Sequence, residues 1–541
     1  MWKAETVHVI PKNSSPASLA ELRNLSCTPL FSKVLESFIL SNLKSEVSLS
    51  NSQYGEVKGC STNHFLIDTW DVVLNALEKG ESVTNLISVD FEKAFNRMNH
   101  WKCLEALAEL GASDESIDGV ATFLYNRTMS VKIGDAFSSP RHVPGGSPQG
   151  SILGNFLFCA TTDCFTSIRV NVGEEAQSSS LSSLPSSSSI EPAQVEIQPS
   201  SLTTSTSTTR GQFARFAPPR SLQNPELESS SDEDIYPFFR ARNDPFETTT
   251  EDQTMEDTIN INREALTGDE LRSMVYIDDF NALERLRITN APSHITMGKR
   301  QITVNAPQTE MLFEEIQQPA GRIGMKVNNK KTQMVCIHPY SSDSITSYIK
   351  AGEQRINSTS ELKILGFHFG TEPNAKVHAS KLIEKFYNKM WSLRFLKRSG
   401  MKKPDLLKVY KTVILPSVEY ASVVYHSLIP QYQAEALEAM QKLAMSIIYG
   451  KTRYSLLIEN KTIEPLAIRR EKAILDFANK ASKNERFRAK WFRENQADQV
   501  DRGVRSTTRR RYVEANCKTD RMRKNPVQVM IRALNDEKNN V

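Results

Sequence analysis

Three aspartates in this chain have the type and placement to do metal chemistry. Asp90 closes the run LISVD, in which Leu86 to Val89 are strand formers, so its carboxylate would sit at the exit of a buried strand. Asp278 and Asp279 stand together in SMVYIDDFNAL, with one apolar run entering the pair and another leaving it. That pattern reads as a tight hairpin with both acids at or beside the turn. Taken singly, an Asp after a strand is usually a turn or a helix cap, and an Asp-Asp pair between strands is usually a solvated turn. Brought to one place, three carboxylates repel unless a hard dication lies between them. Mg²⁺ suits such oxygen ligands and keeps positions for water and phosphate oxygens. Two such ions about 4 Å apart would stabilise the attacking and leaving oxygens of an in-line displacement. The chemistry implied is nucleotidyl transfer or phosphodiester cleavage.

A second feature is the loop GGSPQGS, Gly145–Ser151. Glycines allow a backbone to approach a ligand closely, and Gln149 offers both a donor and an acceptor. The plainer alternative, favoured on local chemistry, is a turn before the apolar helix ILGNFLF with Ser147 or Ser151 as its cap. No Gly-Lys-Ser/Thr follows, so the loop is not a Walker phosphate cradle.

The elements that must carry these residues are legible in outline. Helical periods run from Ser32 to Leu43, His64 to Glu78 and Lys102 to Leu110, with strand-like runs at Asn85 to Phe91 and Met129 to Ile133. Short strand signals follow at Met274 to Tyr276, Met334 to Ile337 and Ile364 to Phe369. Interleaved strands and helices predict an α/β or α+β arrangement. From Ala375 to Gly450 the pattern is helical, with Leu382, Phe386, Met390 and Leu393 at three-to-four spacing and further helices predicted at Pro404 to Leu415 and Tyr432 to Ile448. This stretch reads as a separate helical domain.

Charge is segregated. Across 541 residues Lys plus Arg total 67 and Asp plus Glu 63, a net charge of +4 that excludes a uniformly basic nucleic-acid coat. From about Glu174 to Asp269 the chain turns Ser/Thr-rich and then acidic, without a lysine. Such a segment cannot bury enough apolar surface to offset its ordering entropy, and it reads as a disordered insertion rather than a glycosylated stalk or a folded acidic module. From Lys461 onward 21 Lys/Arg face 11 Asp/Glu, including Arg509, Arg510 and Arg511. A solvated helical face and a phosphate-contacting surface account for that excess equally well. Seven cysteines argue against a disulfide-built secreted protein. No N-terminal apolar run resembles a signal peptide, and the most apolar later stretch, Val413 to Ile429, carries Glu419 and His426 and is too short to span a bilayer. A soluble intracellular protein, nuclear or cytoplasmic, is expected, with no membrane partner.

The ordered set of motifs resembles the reverse transcriptase domain of non-LTR (LINE-type) retrotransposons. IPK at Ile10–Lys12 and LRNLSCTPLFSKVLE at Leu22–Glu36 resemble fingers motifs, and QYGEVKGCSTNH at Gln53–His64 is similar to the family's Q-F-G-F…S-T-x-H stretch. SVDFEKAFNRMNH (Ser88–His100), FLYNRTMSVKIG (Phe123–Gly134), GSPQGSILGNFLF (Gly146–Phe158), YIDD (Tyr276–Asp279), GMKVNNKKT (Gly324–Thr332), LKILGFHFG (Leu362–Gly370) and ILPSVEYASVVYH (Ile414–His426) follow in the family order. The resemblance covers nearly everything outside the insertion. It implies an α+β right-hand polymerase with an antiparallel palm sheet, a helical thumb and the long disordered insertion. The implied divisions are fingers 1–84, palm with part of the fingers 85–173, insertion 174–269, palm 270–370, thumb 371–455 and a basic helical region 456–541.

The resemblance also implies roles. Asp90, Asp278 and Asp279 would hold two Mg²⁺ ions, with Mn²⁺ as a substitute, and the Phe91 carbonyl would assist. Phe95 would exclude a ribose 2′-OH, or else be a core aromatic. Gln149 and Gly150 would line the nucleotide and template pocket. Lys331 would act as a general acid beside the leaving pyrophosphate. Lys12 and Arg23 would neutralise the incoming triphosphate, or else be surface charge. The Leu365–Gly366 strand would form a primer grip. The substrates implied are an RNA template, a DNA primer or target, and deoxynucleoside triphosphates. A catalytically inactive or domesticated RNA-binding remnant is the alternative, and an intron-type maturase a third reading. Two departures stand out: Asn96 takes the place of the family's usual Asp, and Ile277 that of its Ala. The fingers motifs begin within a dozen residues of Met1, with no endonuclease expected before them. Cys517 stands outside any Cys/His knuckle, and no second acid set suggests an RNase H domain. An isolated or truncated polymerase part of a retroelement is expected.

Overall fold

The computed structural model describes residues 3–11, 15–16, 18, 22–79, 82–148, 150–167, 271–276, 279–287, 302–340, 345–494 and 511–539. The segment read as an insertion, 174–269, lies outside them, as do Lys12, Gln149, Ile277, Asp278, Arg509 and Arg510.

The chain opens with β1 (Ala4–Pro11), β2 (Leu22–Cys27), α1 (Leu30–Glu46), α2 (Thr62–Glu78) and β3 (Ser82–Val89). Next come a short α3 (Ala94–Arg97), α4 (His100–Glu109), α5 (Asp114–Leu124), β4 (Thr128–Ile133), β5 (Ala136–Phe137), β6 (Arg141–His142) and α6 (Gly154–Thr162). Beyond the gap lie β7 (Leu271–Tyr276), β8 (Asp279–Arg287), β9 (Ile302–Asn305), α7 (Pro307–Arg322), β10 (Gln333–Ile337), β11 (Ile345–Ala351), β12 (Gln354–Asn357), β13 (Glu361–Ile364) and β14 (Phe367–Gly370). Helices, antiparallel ladders and two parallel pairings are mixed, in keeping with the α+β expectation.

The central sheet has the order β10-β3-β8-β7, antiparallel throughout. Its second strand, β3, is buried along almost its whole length because both faces are covered. Leu86, Leu283 and Val335 face a core shared with α2 and the C-terminal helices. Ile87, Val89, Ala282 and Cys336 face a second core completed by Leu312, Phe313 and Ile316 of α7. Period-two alternation thus divides one strand set between two cores. A second sheet joins β1 to β2 and, in parallel, to β4. It is fastened by a buried ion pair, Arg127 to Glu5 at 3.0 Å.

The helices of the C-terminal half include the long α8 (Lys376–Arg398), α9 (Gln431–Tyr449) and α10 (Leu466–Ala481), the short α11 (Glu485–Trp491), and α12 (Pro526–Asn539). Leu382, Phe386, Met390 and Leu393 form the buried stripe of α8, as their spacing predicts. The apolar core they enter is continuous with Phe65, Trp70 and Leu74 of α2.

Two predicted elements need correction. The Ile364 to Phe369 run is a hairpin, β13 and β14, whose ladder closes at Ile364↔Phe367. Leu365 and Gly366 are its two-residue turn, both at positive φ (49° and 80°), and not a strand. The Pro404 to Leu415 helix is broken. It runs from Lys403–Val409 into a widened π-type turn at Tyr410–Ile414 and resumes at Leu415–Glu419. Pro416 has no N–H to donate to the turn before it, which accounts for the break.

Candidate active site

Asp90 lies one residue past the end of β3, with its side chain 43% exposed. Its backbone is fixed on one side: Asn328 N donates to Asp90 O at 2.8 Å and Asp90 N donates to Thr332 Oγ1 at 3.4 Å. The ladder between β3 and β8 ends at Val89↔Phe280, so the same register carried one residue further sets the Asp90 and Asp279 positions opposite each other. The β7–β8 ladder closes at Tyr276↔Asp279. This is the tight hairpin predicted around the acid pair, and Asp278 falls in its undescribed two-residue connection. On the other flank β10 pairs with β3 at Gln333↔Ser88, and that register leads back to Lys331 beside Asp90. The Lys331 Nζ stands 3.9 Å from Asp90 Oδ2, with the lysine side chain 67% exposed. One end of the central sheet therefore gathers Asp90, Asp279 and Lys331.

Phe91 forms an isolated bridge with Val327, and its ring stacks on Phe165 at 5.3 Å. The bridge uses the neighbours of Phe91: Glu92 N donates to Lys326 O and Asn328 N to Asp90 O. The Phe91 carbonyl is not consumed by it. Phe95 is half-buried and stacks on Phe158 of α6 at 4.5 Å. Its carbonyl accepts from Ser147 N at 2.7 Å, which docks the glycine loop on the turn that follows Asp90.

The glycines of that loop are dictated by packing. Gly146 has φ +83°, and a Cβ there would lie 2.7 Å from the Asn96 carbonyl oxygen. Gly150 has φ +115°, and its Cβ would lie 2.7 Å from the Ser26 carbonyl oxygen of β2. His100 Nε2 donates to Gly146 O at 2.8 Å, and burial holds its imidazole below the ordinary pKa. Ser151 Oγ accepts from Gly154 N at 2.7 Å, so it bonds the first residue of α6 from two positions ahead of the N-cap, Leu153. A residue the sequence reading missed completes the anchor. Glu36 of α1, fully buried, accepts from Ile152 N at 2.6 Å and Leu153 N at 3.3 Å. A carboxylate at the amide groups that lead into α6 suits their orientation. It could not be told from sequence, because the amides it meets lie far along the chain.

The remaining candidates lie elsewhere. Arg23 is exposed on β2, across from Ile10. The Leu365–Gly366 turn packs on Tyr420, whose hydroxyl donates to Leu365 O at 2.5 Å. Lys12, Gln149 and Asp278 are outside the described residues. Among the described residues no three His, Cys, Asp or Glu side chains form a metal-holding group. The chemistry of the donor set nonetheless fits a hard dication. It consists of carboxylate oxygens, the Asp90 side chain is partly exposed with its Oδ2 buried, and a carbonyl beside it is left unused by the bridge.

The Q-Y-G…S-T-N-H stretch is built into the fold. His64 is buried, stacks on Phe487 at 4.1 Å, and has its pKa pushed down to about 4, chiefly by burial. Asp68 is fully buried and accepts from Tyr54 Oη at 2.6 Å and Lys490 Nζ at 2.5 Å. Several C-terminal basic residues are likewise spent inside the molecule. Arg469 grips Glu419 with two bonds, 2.6 and 2.9 Å, and Arg470, buried within α10, donates to Leu466 O of its own helix at 3.0 Å.

Residues 10–171 match a family model described as "Reverse transcriptase (RNA-dependent DNA polymerase)". Residues 10–171 are thus similar to a reverse transcriptase domain. Over 165 residues it is 24% identical to the retrovirus-related Pol polyprotein from type-1 retrotransposable element R2 of Popillia japonica, a match covering 30% of this chain and 23% of that one. Over 164 residues it is 29% identical to the probable RNA-directed DNA polymerase from transposon X-element of Drosophila melanogaster, covering 29% and 18% respectively. The match thus spans about a fifth of the length of these curated relatives. Among solved structures, telomerase from Candida tropicalis in complex with a fragment of telomeric RNA aligns with 90% of this chain and 59% of its own, at 11% identity and a TM-score of 0.37. The relatives bear out the resemblance to retrotransposon reverse transcriptases that the motif order implies. The reverse transcriptase match ends before the acid pair, so the second half of the site rests on the register just described.

Proposed function

We propose that this chain is an RNA-directed DNA polymerase of a retroelement, extending a DNA primer on an RNA template from deoxynucleoside triphosphates. The observation that carries the reading is the register that sets Asp90 against Asp279, with Lys331 3.9 Å from Asp90, in a chain whose residues 10–171 are similar to a reverse transcriptase domain. On this reading the central sheet is the palm, residues 1–84 belong to the fingers, and α8, α9 and the helical segments between them form the thumb. Asp90, Asp278 and Asp279 would hold divalent cations, with the Phe91 carbonyl assisting; oxygen-only donors favour two Mg²⁺ over softer ions. Bound there, the cations would neutralise phosphate charge and lower the pKa of the attacking hydroxyl. Lys331 would hold a proton at Nζ for the leaving pyrophosphate. Phe95, backed by Phe158, would set how much room a ribose has at C2′. Gln149 and Gly150 would line the nucleotide pocket, and Lys12 and Arg23 would meet the triphosphate. The Leu365–Gly366 turn, braced by Tyr420, would bear on the primer.

The nucleic-acid surface of this reading is α8. Its 23 residues carry seven Lys/Arg and a single acid, Glu384. Tyr387, Trp391 and Phe395 are exposed along it, the last two stacked at 5.5 Å. Aromatic faces among cations suit bases and phosphates together.

The test is primer extension on poly(rA)/oligo(dT) with Mg²⁺, comparing wild type with Asp278→Asn. Wild type should extend, and the variant should lose at least about 100-fold in rate while folding normally. Equal rates would overturn the assignment. Tight RNA binding without extension by either protein would favour the binding-only remnant.

A further inference from the structure

We propose that Arg486, in the basic C-terminal region, is a positioning residue for the acidic hairpin. Its charge is spent on backbone rather than offered to phosphate. Nη1 donates to Gln53 O at 2.9 Å and Nη2 donates to Asn51 O at 2.5 Å. The guanidinium lies 4.5 Å from the centre of the Tyr54 ring. A planar fork with several donors can hold two carbonyls and an aromatic face at once, which a lysine cannot.

The gripped segment is the outer neighbour of β7. Val275 N donates to Ser52 O at 2.9 Å, Tyr54 N donates to Val275 O at 2.9 Å, and Gln53 bridges Val275 in parallel. Val275 in turn faces Phe280, and the next pair of the ladder is Tyr276↔Asp279. Arg486 therefore stands two hydrogen-bonded steps from the strand that ends in the acids. Without the 51–54 segment β7 would be a free sheet edge, with unpaired amides and room to shift.

The helix that carries Arg486 is itself locked. Asn484 Oδ1 accepts from Arg486 N at 3.1 Å, Lys490 pairs with Asp68 at 2.5 Å, and Phe487 stacks on His64. These contacts fix α11 on α2, and α2 packs on the central sheet. The brace thus runs from α11 through the 51–54 backbone to β7.

The kinetic part of this proposal rests on the polymerase reading; the structural part does not. The test uses the full chain and three variants. Arg486→Ala removes the fork, and Arg486→Lys keeps the charge without it. Glu78→Gln loosens the C-terminal segment at the other end of α2, where Glu78 accepts from the Lys518 and Thr519 backbone. Hydrogen exchange over residues 271–287 is measured in each. Arg486→Ala should exchange faster there than wild type and Glu78→Gln, and equal exchange overturns the proposal. In primer extension its kcat should fall about tenfold, since small misplacements of reacting groups are costly, with KM for nucleotide within about twofold. Guanidinium ions at millimolar concentration should restore part of that loss in Arg486→Ala and none in Glu78→Gln. Faster exchange with unchanged kcat would make Arg486 a structural staple only and overturn the positioning role. Should wild type not extend primers, the polymerase reading fails and exchange alone decides the brace. Should Arg486→Ala not fold, Arg486→Lys carries the same comparisons.

Discussion

The acidic end of the central sheet and the clamp around Asp68 are both made of charged residues, yet they are built in opposite ways. At the sheet end the Asp90 side chain is 43% exposed, and the Lys331 Nζ stands 3.9 Å from it. At the clamp Asp68 has no exposed surface, and a lysine and a tyrosine hydroxyl approach to 2.5 and 2.6 Å. A carboxylate that keeps exposed surface can accept a new ligand. One that is buried and saturated can only hold its neighbours, and removing it strands them. Sequence displays both aspartates alike; only burial and partners separate a site from a fastening.

The comparison can be broken at its strongest point first. Asp90→Asn should cost at least about 100-fold in extension rate and leave thermal stability near that of wild type. A large drop in melting temperature would show that Asp90 is a fastening after all. Asp68→Ala should do the reverse. It leaves Lys490 and Tyr54 without their partner and should cost about 3 kcal/mol in chemical denaturation, the range for breaking a buried pair. A loss within half a kcal/mol, a marker of surface sites, would contradict the buried clamp.

Acidification sharpens the same contrast more gently. Burial pushes His64 and His426 down to about 4 and His378 to about 3, whereas an unfolded imidazole titrates near 6.5. A depressed histidine favours protonation of the unfolded chain. Its stabilisation is complete above about pH 6.5 and is lost progressively as pH falls toward 4. Denaturation midpoints should therefore drop between about pH 7 and pH 5, and His64→Phe should flatten part of that slope. A level profile over this interval would remove the buried neutral imidazoles from the account.

Much of the candidate site could be read in advance because its signals are local. The apolar run before Asp90 made a strand that ends where the acid begins, and the runs flanking the acid pair made a hairpin that closes at Tyr276↔Asp279. The glycine loop met both of its readings halfway. Ser151 bonds the first amide of α6, while the positive φ of Gly146 and Gly150 answers to the Asn96 and Ser26 carbonyls. What was hidden depends on distant pairing. Nothing near Gln53 announces that it will bridge Val275 and meet Arg486, and nothing near Glu36 announces the Ile152 and Leu153 amides ahead of α6. The Leu365–Gly366 turn was missed because a leucine at positive φ is a poor turn signal. The C-terminal basic excess left phosphate and structure equally open. In the described part, Arg469, Arg470, Arg486 and Lys490 are committed to protein partners.

The central sheet closes across a very long stretch of chain, since Val89 at the end of β3 pairs with Phe280 of β8. Loop-closure entropy grows only with the logarithm of length, so each doubling of the connecting chain adds about 0.6 kcal/mol. The connection between Ser167 and Leu271 can therefore lengthen or shorten over generations with little effect on whether the sheet forms. The effect falls on time instead. Strands that meet only after a distant partner has been synthesised fold late, and β3 must wait for β8 with its apolar faces unpaired. In a cell, the production of this protein would be governed less by how stable the acidic sheet is than by what shelters half of it until the other half arrives.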